Sequence, residues 1–277
     1  MTSVAVRGVR YHVARWGAGP PLVLLHGFTG SVETWRPFRK AWRGRQLIAI
    51  DLIGHGRTTL PRDPERATMA SSVRDLAALL DALGIARAAV LGYSMGGRLA
   101  LRFALAFPHR VSALILESAS PGIASAQERQ ERLAADEQRA RLLERDGIAA
   151  FVEQWEALPL WASQARLPPA VRARLRQQRL ACSAEGLALS LRGMGAGAEE
   201  PVLDCLVTFA MPVLLIAGAE DPKYVALAQA MADRLPKSDI AILPGAGHAT
   251  HLEQPAQFAA VVDRFLRSAF PLEPPVR

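Results

Sequence analysis

The sequence predicts an α/β fold: a mostly parallel central sheet flanked by helices, with a helical cap inserted into it. Two observations carry that expectation. Short β-rich runs alternate with helical stretches between residues 22 and 107, as when parallel strands are joined by crossover helices. Within that stretch, Gly92-Tyr93-Ser94-Met95-Gly96 follows the apolar run 88–91 and precedes Leu99-Ala100-Leu101-Arg102-Phe103-Ala104, which reads as strand, sharp turn and helix.

The elements follow in order. Runs 22–25 and 47–51 read as buried strands, 69–83 as a helix, 88–91 as the strand before the turn and 111–116 as the next strand. After Pro121-Gly122 the strand signal nearly vanishes. Charged helical stretches, broken at Pro159 and Pro168-Pro169, run to about Gly197. Sheet-like runs return at 213–217 and 240–243, and an amphipathic helix over 256–266 follows. The simplest organisation is one α/β core, 1–120 and 201–277, with a cap over 121–200 that is too long to be an ordinary loop. Inserted there, it would lie over the carboxyl ends of the strands, where open α/β sheets bind ligands.

Composition narrows the function. Half the residues are hydrophobic and 21% are charged, which suits a sizeable core. The net charge of +7 invites a nucleic-acid reading, but no basic run or interleaved aromatic cluster supports one. The positive charge is nearly all scattered arginine, with Lys40, Lys223 and Lys237 the only lysines, so it implies at most an attraction for anionic substrates. No apolar run is long enough to span a bilayer and no cleavable leader opens the chain, so the protein is expected in the cytoplasm, with no membrane partner. Cys182 and Cys205 are expected as free thiols. No His, Cys and carboxylate cluster has ligand spacing, so neither a metal nor another cofactor is expected. Oligomeric state is left at monomer or small homo-oligomer.

In its strand–turn–helix context, Gly-x-Ser-x-Gly is a nucleophile elbow with Ser94 at its tip. The turn aims the Met95 N–H, at a helix start, towards any oxyanion that forms nearby. Phe28, in His26-Gly27-Phe28 after the run 22–25, stands where a second oxyanion donor is expected. A serine hydroxyl needs a base. His248, in Pro244-Gly245-Ala246-Gly247-His248 after a strand, is preferred over His251, which could face solvent or a helix. The orienting acid should lie between serine and histidine in the chain, and Asp221 after the run 213–217 fits, with Glu220 as its local competitor. His26 reads as a structural histidine and Asp51 as a loop-shaping acid. Arg98, one helical turn beyond Ser94, is placed to pair with an anionic group.

Together these residues resemble the α/β-hydrolase fold along nearly the whole chain. A narrower resemblance comes from Arg98, from Glu117-Ser118-Ala119-Ser120-Pro121-Gly122, from Arg132, Phe151 to Trp155, Pro159-Leu160-Trp161 and Arg179, and from Asp221-Pro222-Lys223-Tyr224 and His248-Ala249-Thr250-His251. This set is similar to the 2-succinyl-6-hydroxy-2,4-cyclohexadiene-1-carboxylate (SHCHC) synthases of menaquinone biosynthesis. The resemblance implies that Ser94, Asp221 and His248 form a triad in which the serine acts as a base. It would remove a ring proton from a cyclohexene bearing succinyl, carboxylate and enolpyruvyl groups, so that pyruvate leaves. It further implies that Arg98, Arg132 and Arg179 grip carboxylates of a small polyanionic substrate, and that Tyr93, Trp155 and Lys223 lie at the pocket. From the residues themselves the alternatives stay open. Ser94 could instead attack the carbonyl of an ester or of a carbon–carbon substrate, or the fold could serve only binding. Residues 121–200 hold eleven arginines and eleven acids, so composition does not select particular arginines.

Overall fold

A computed structural model describes residues 2–269 of the 277. Eight strands, β1 (Thr2–Val6), β2 (Val9–Trp16), β3 (Pro21–Leu25), β4 (Gln46–Ile50), β5 (Ala88–Tyr93), β6 (Val111–Glu117), β7 (Val213–Gly218) and β8 (Ser238–Leu243), form one sheet. Their order is β1-β2-β4-β3-β5-β6-β7-β8. The β2 strand runs antiparallel to β1 and β4, and every other neighbouring pair is parallel.

The β1–β2 hairpin lies outside the alternation visible in the sequence. Its turn is Arg7-Gly8, with φ of 48° and 85°, the pair of positive values that a tight two-residue hairpin needs. Val9, Tyr11, Val13 and Ala14 of β2 are buried, while Arg10 and Arg15 are exposed. That mixture hides the strand among polar residues.

Alternation along the inner strands divides the core between the two faces. Val23 and Leu25 of β3 pack on the side of helices α1 (Met69–Ala82), α2 (Met95–Ala106) and α6 (Pro222–Ala232). Leu22 and Leu24 face the other side, where Trp35, Phe38 and Trp42 meet Phe258 and Phe265 of α8 (Pro255–Ala269). Each large apolar side chain so enclosed contributes about 1.5–3 kcal/mol.

Between β6 and β7 the chain is helical: α3 (Ala126–Glu156), α4 (Pro169–Leu180) and α5 (Ala184–Met194). The α3 helix starts at Ser125, whose hydroxyl accepts from the Glu128 N–H, and is broken at Gly147, with φ 80° and ψ −178°. It shares a buried cluster with α5, Ala140, Leu143, Phe151 and Val152 against Leu187, Ala188 and Leu191. Phe28, from the loop after β3, packs against this cluster and against the main core, joining the two. The four-residue helix α7 (Thr250–Glu253) precedes α8. No helix among the described residues is long and apolar enough to cross a membrane.

Candidate active site

Ser94 sits between β5 and α2 with φ 50° and ψ −108°, a strained conformation for a residue other than glycine. Close packing holds it there. A Cβ on Gly92 would come 2.2 Å from the Gly96 carbonyl oxygen, and one on Gly96 would come 2.3 Å from that of Leu25. The Ser94 N–H donates to the Glu117 carbonyl at 2.8 Å, anchoring the elbow to β6.

Two loops bring the partners. His248, after β8, places Nε2 3.1 Å from Ser94 Oγ and Nδ1 2.8 Å from Asp221 Oδ2. Asp221 also caps α6, its Oδ1 accepting from the Tyr224 N–H at 3.4 Å. One carboxylate thus serves as helix cap and imidazole orienter, and the cap restricts its rotamer. Glu220 turns away to Arg166, 2.5 Å from its guanidinium. His251 faces neither solvent nor the triad. It is buried, with Nδ1 2.9 Å from Glu117 Oε1, because β6 ends in a carboxylate that needs donors.

A cavity of about 210 Å³ opens on Ser94 and His248. Among the described residues its lining includes Arg98, Arg132 and Arg139 and no carboxylate. The acids stand behind it. Arg98 donates to Glu199 and, at 2.6 Å, to the Met194 carbonyl, while Arg132 and Arg139 flank Asp136 at 2.8 and 3.1 Å. Burial and the neighbouring Arg132 lower the Arg98 guanidinium to about 10, which leaves it charged at neutral pH. Phe28, Tyr93, Met95 and Trp155 line the same space.

Arg179 lies elsewhere. It lines a second cavity of about 410 Å³ beneath α4; Phe28, Tyr93 and Trp161 border both spaces. There Arg179 donates to Glu156 at 2.9 Å and to Gln164 at 3.2 Å, and its guanidinium lies 5.4 Å from the Trp161 ring centroid. Buried Arg179 Nε, Gln164 Nε2 and the indole nitrogens of Trp155 and Trp161 have no acceptor among the described residues. Lys223 is exposed on α6 and borders neither cavity; Tyr224 beside it lines the first, with its ring centroid 4.5 Å from that of His248.

Sequence reasoning missed Arg139 and Tyr224 as lining residues. Arg139 was detectable, since it stands seven residues after Arg132, two turns along one helix face, with Asp136 between them. Ser118 stands in the run 118–120 at the strand end, where the sequence suggested an effect on pocket width. It has φ 46° and a buried hydroxyl without a partner among the described residues, and it borders the first cavity.

Structural groups brace the floor. His26 donates through Nδ1 to the Gly27 carbonyl at 2.8 Å and accepts from the Leu52 N–H at 3.0 Å. Asp51 accepts from the Val32 and Arg57 N–H groups at 2.7 and 2.8 Å, and its burial raises its pKa. Burial lowers His26 to about 4 and His55 to about 3. Both therefore stay neutral in the folded protein at pH values where the unfolded chain binds protons. The unfolded state holds more protons below about pH 6.5, so stability falls as pH drops from there towards 4. We expect each histidine to contribute a loss on the order of 1 kcal/mol per pH unit within that window. Denaturant midpoints measured from pH 7 to 4 check this, and a flat profile would contradict it.

The chain belongs to the alpha/beta hydrolase fold family, whose profile matches residues 20–255. Within that class it belongs to the SHCHC synthase family. A Bacillus subtilis protein provisionally named 2-succinyl-6-hydroxy-2,4-cyclohexadiene-1-carboxylate synthase is 44% identical over 263 residues, covering 94% of this chain and 96% of its own. The solved structure of MenH from S. aureus superposes with a TM-score of 0.90 at 34% identity, covering 93% of this chain and 98% of that one. A thermophilic esterase from Thermogutta terrifontis, solved with malate bound, gives a TM-score of 0.83 at 30% identity, covering 97% of each chain.

Proposed function

We propose that this protein is a lyase of menaquinone biosynthesis. It eliminates pyruvate from 2-succinyl-5-enolpyruvyl-6-hydroxy-3-cyclohexene-1-carboxylate and leaves SHCHC. The observation that carries the reading is the cavity beside Ser94 and His248, lined by three arginines and no carboxylate. An esterase for neutral acyl chains has no use for such a lining, whereas a substrate with several carboxylates does.

Ser94 Oγ removes the ring proton next to the succinyl carbonyl and passes its own proton to His248 Nε2, while Asp221 steadies the imidazolium. The carbonyl oxygen gains the negative charge, held by the Phe28 and Met95 N–H groups. The electron pair then re-forms ring unsaturation as the carbon–oxygen bond to the enolpyruvyl group breaks. The proton on His248 goes to the departing group, which leaves as pyruvate, so no co-reactant is consumed.

Arg98 and Arg132 hold carboxylates in the first cavity, with Arg139 beside them. Arg179 meets a carboxylate that reaches past Tyr93 and Trp161 into the second. Trp155 walls the ring, and Lys223, outside both cavities, contributes charge at a distance. Residues 121–200 act as the cap over a core of 1–120 and 201–277. The partner is a small polyanion, with no nucleic acid and no membrane, and the enzyme works in the cytoplasm as a monomer or small homo-oligomer.

A serine hydrolase is the second reading, favoured by the same Ser–His–Asp geometry and by the esterase likeness. Incubating the purified protein with the enolpyruvyl substrate separates the two. We expect pyruvate, measured with coupled lactate dehydrogenase, in equal amount to SHCHC. Efficient cleavage of p-nitrophenyl esters without any pyruvate would overturn the lyase reading.

A further inference from the structure

Glu117 is fully buried at the end of β6, and the mechanism above does not use it. Its Oε1 accepts from Thr250 Oγ1 at 2.6 Å, from the His251 N–H at 2.9 Å and from His251 Nδ1 at 2.9 Å, and its Oε2 lies 3.0 Å from the same Nδ1. A carboxylate removed from water costs several kcal/mol unless such donors replace the lost hydration. Here every side-chain donor comes from the two residues that begin α7, directly after the His248 loop. The same residue's carbonyl accepts from the Ser94 N–H. Glu117 therefore ties the backbone of Ser94 to the segment that presents His248.

A second carboxylate completes the hold. Glu253 Oε2 accepts from the Gly247 N–H at 2.8 Å, and its Oε1 from the Ala249 N–H at 3.2 Å. These N–H groups belong to the residues on either side of His248. The His251 ring, fixed by Glu117, also lies edge-on to Tyr93 with centroids 4.6 Å apart, and Tyr93 borders both cavities.

We propose that Glu117 and Glu253 are positioning residues, setting the Ser94–His248 geometry without touching either reacting group. Glu117 fixes where the loop leaves the sheet, and Glu253 holds the backbone N–H groups of Gly247 and Ala249 on either side of His248. A misplacement near 1 Å of a catalytic group costs about 10²-fold in rate. The kinetic part of the test rests on the proposed lyase reaction; the spectroscopic part does not.

The test uses the whole protein and three variants, Thr250→Val, Glu253→Gln and Glu117→Gln. It reads kcat and KM for pyruvate release, thermal midpoint, and the proton NMR resonance of His248 Nδ1–H, assigned from its loss in His248→Gln. Thr250→Val and Glu253→Gln are expected to fold, to lower kcat about tenfold with KM within twofold, and to shift or broaden that resonance. Glu117→Gln is expected to lower kcat about 10²-fold. Should Glu117→Gln fail to fold, the other two variants decide. Folded variants with wild-type kcat and an unmoved resonance would overturn the proposal, even with a lowered midpoint, because that pattern describes support of the fold alone. If the wild type releases no pyruvate, the lyase reading falls, and the resonance alone judges the positioning role.

Discussion

Replacing Ser94 with alanine is expected to lower kcat for pyruvate release on the order of 10³-fold while leaving the fold intact. The hydroxyl is the only side-chain atom removed, and its one hydrogen-bond partner among the described residues is His248 Nε2 at 3.1 Å. Positioned acid–base groups contribute roughly 10²–10⁴-fold, and without the hydroxyl His248 has no relay to the ring proton. The strained φ of 50° is imposed by β5, α2 and the Glu117 carbonyl, so alanine inherits it. Thermal melting should therefore move little. Steady-state kinetics with a melting curve on the same preparation check both halves, and a kcat within tenfold of wild type would remove Ser94 from the reaction.

A large effect on stability is expected at Gly96, in Gly96→Ala. The new methyl would stand 2.3 Å from the Leu25 carbonyl oxygen and 2.5 Å from that of His26. Both are backbone atoms at the end of β3, so no side chain can rotate away. Overpacking of this kind costs roughly 1–3 kcal/mol, and more where backbone meets backbone. Relief requires α2 to move off β3, which carries the Met95 N–H away from the Phe28 loop and loosens the proposed oxyanion pair. We expect unfolding in urea at a lower midpoint together with a reduced kcat. Wild-type stability would show that the elbow tolerates a wider turn than this packing allows.

How much of this was legible in the sequence depends on how local each signal is. The elbow was legible because strand, turn and helix are contiguous and two glycines must flank the serine. Asp221 and His248 were legible because each follows a strand and their chain order suits the fold. The β1–β2 hairpin was not, because exposed Arg10 and Arg15 and half-buried His12 interrupt the apolar residues of β2. The two cavities were not, because the balance of charge over 121–200 hides its uneven spacing. No acidic residue lies between Glu156 and Glu185, where Arg166, Arg172, Arg174, Arg176 and Arg179 fall. Folding then sends Arg179 to a different cavity from Arg132. Glu117 and His251 were invisible as a pair, because they are 134 residues apart and only the sheet brings them together.

The central claim is that the oxygen of Ser94 takes a proton and not a carbonyl carbon. It is tested most directly by single-turnover pyruvate release from substrate deuterated at the ring carbon beside the succinyl carbonyl, with intact-mass measurement of the protein during the reaction. The account predicts slower release from the deuterated substrate and no covalent mass added to the enzyme. Release that ignores the deuterium, with an acyl group found on Ser94, would contradict it.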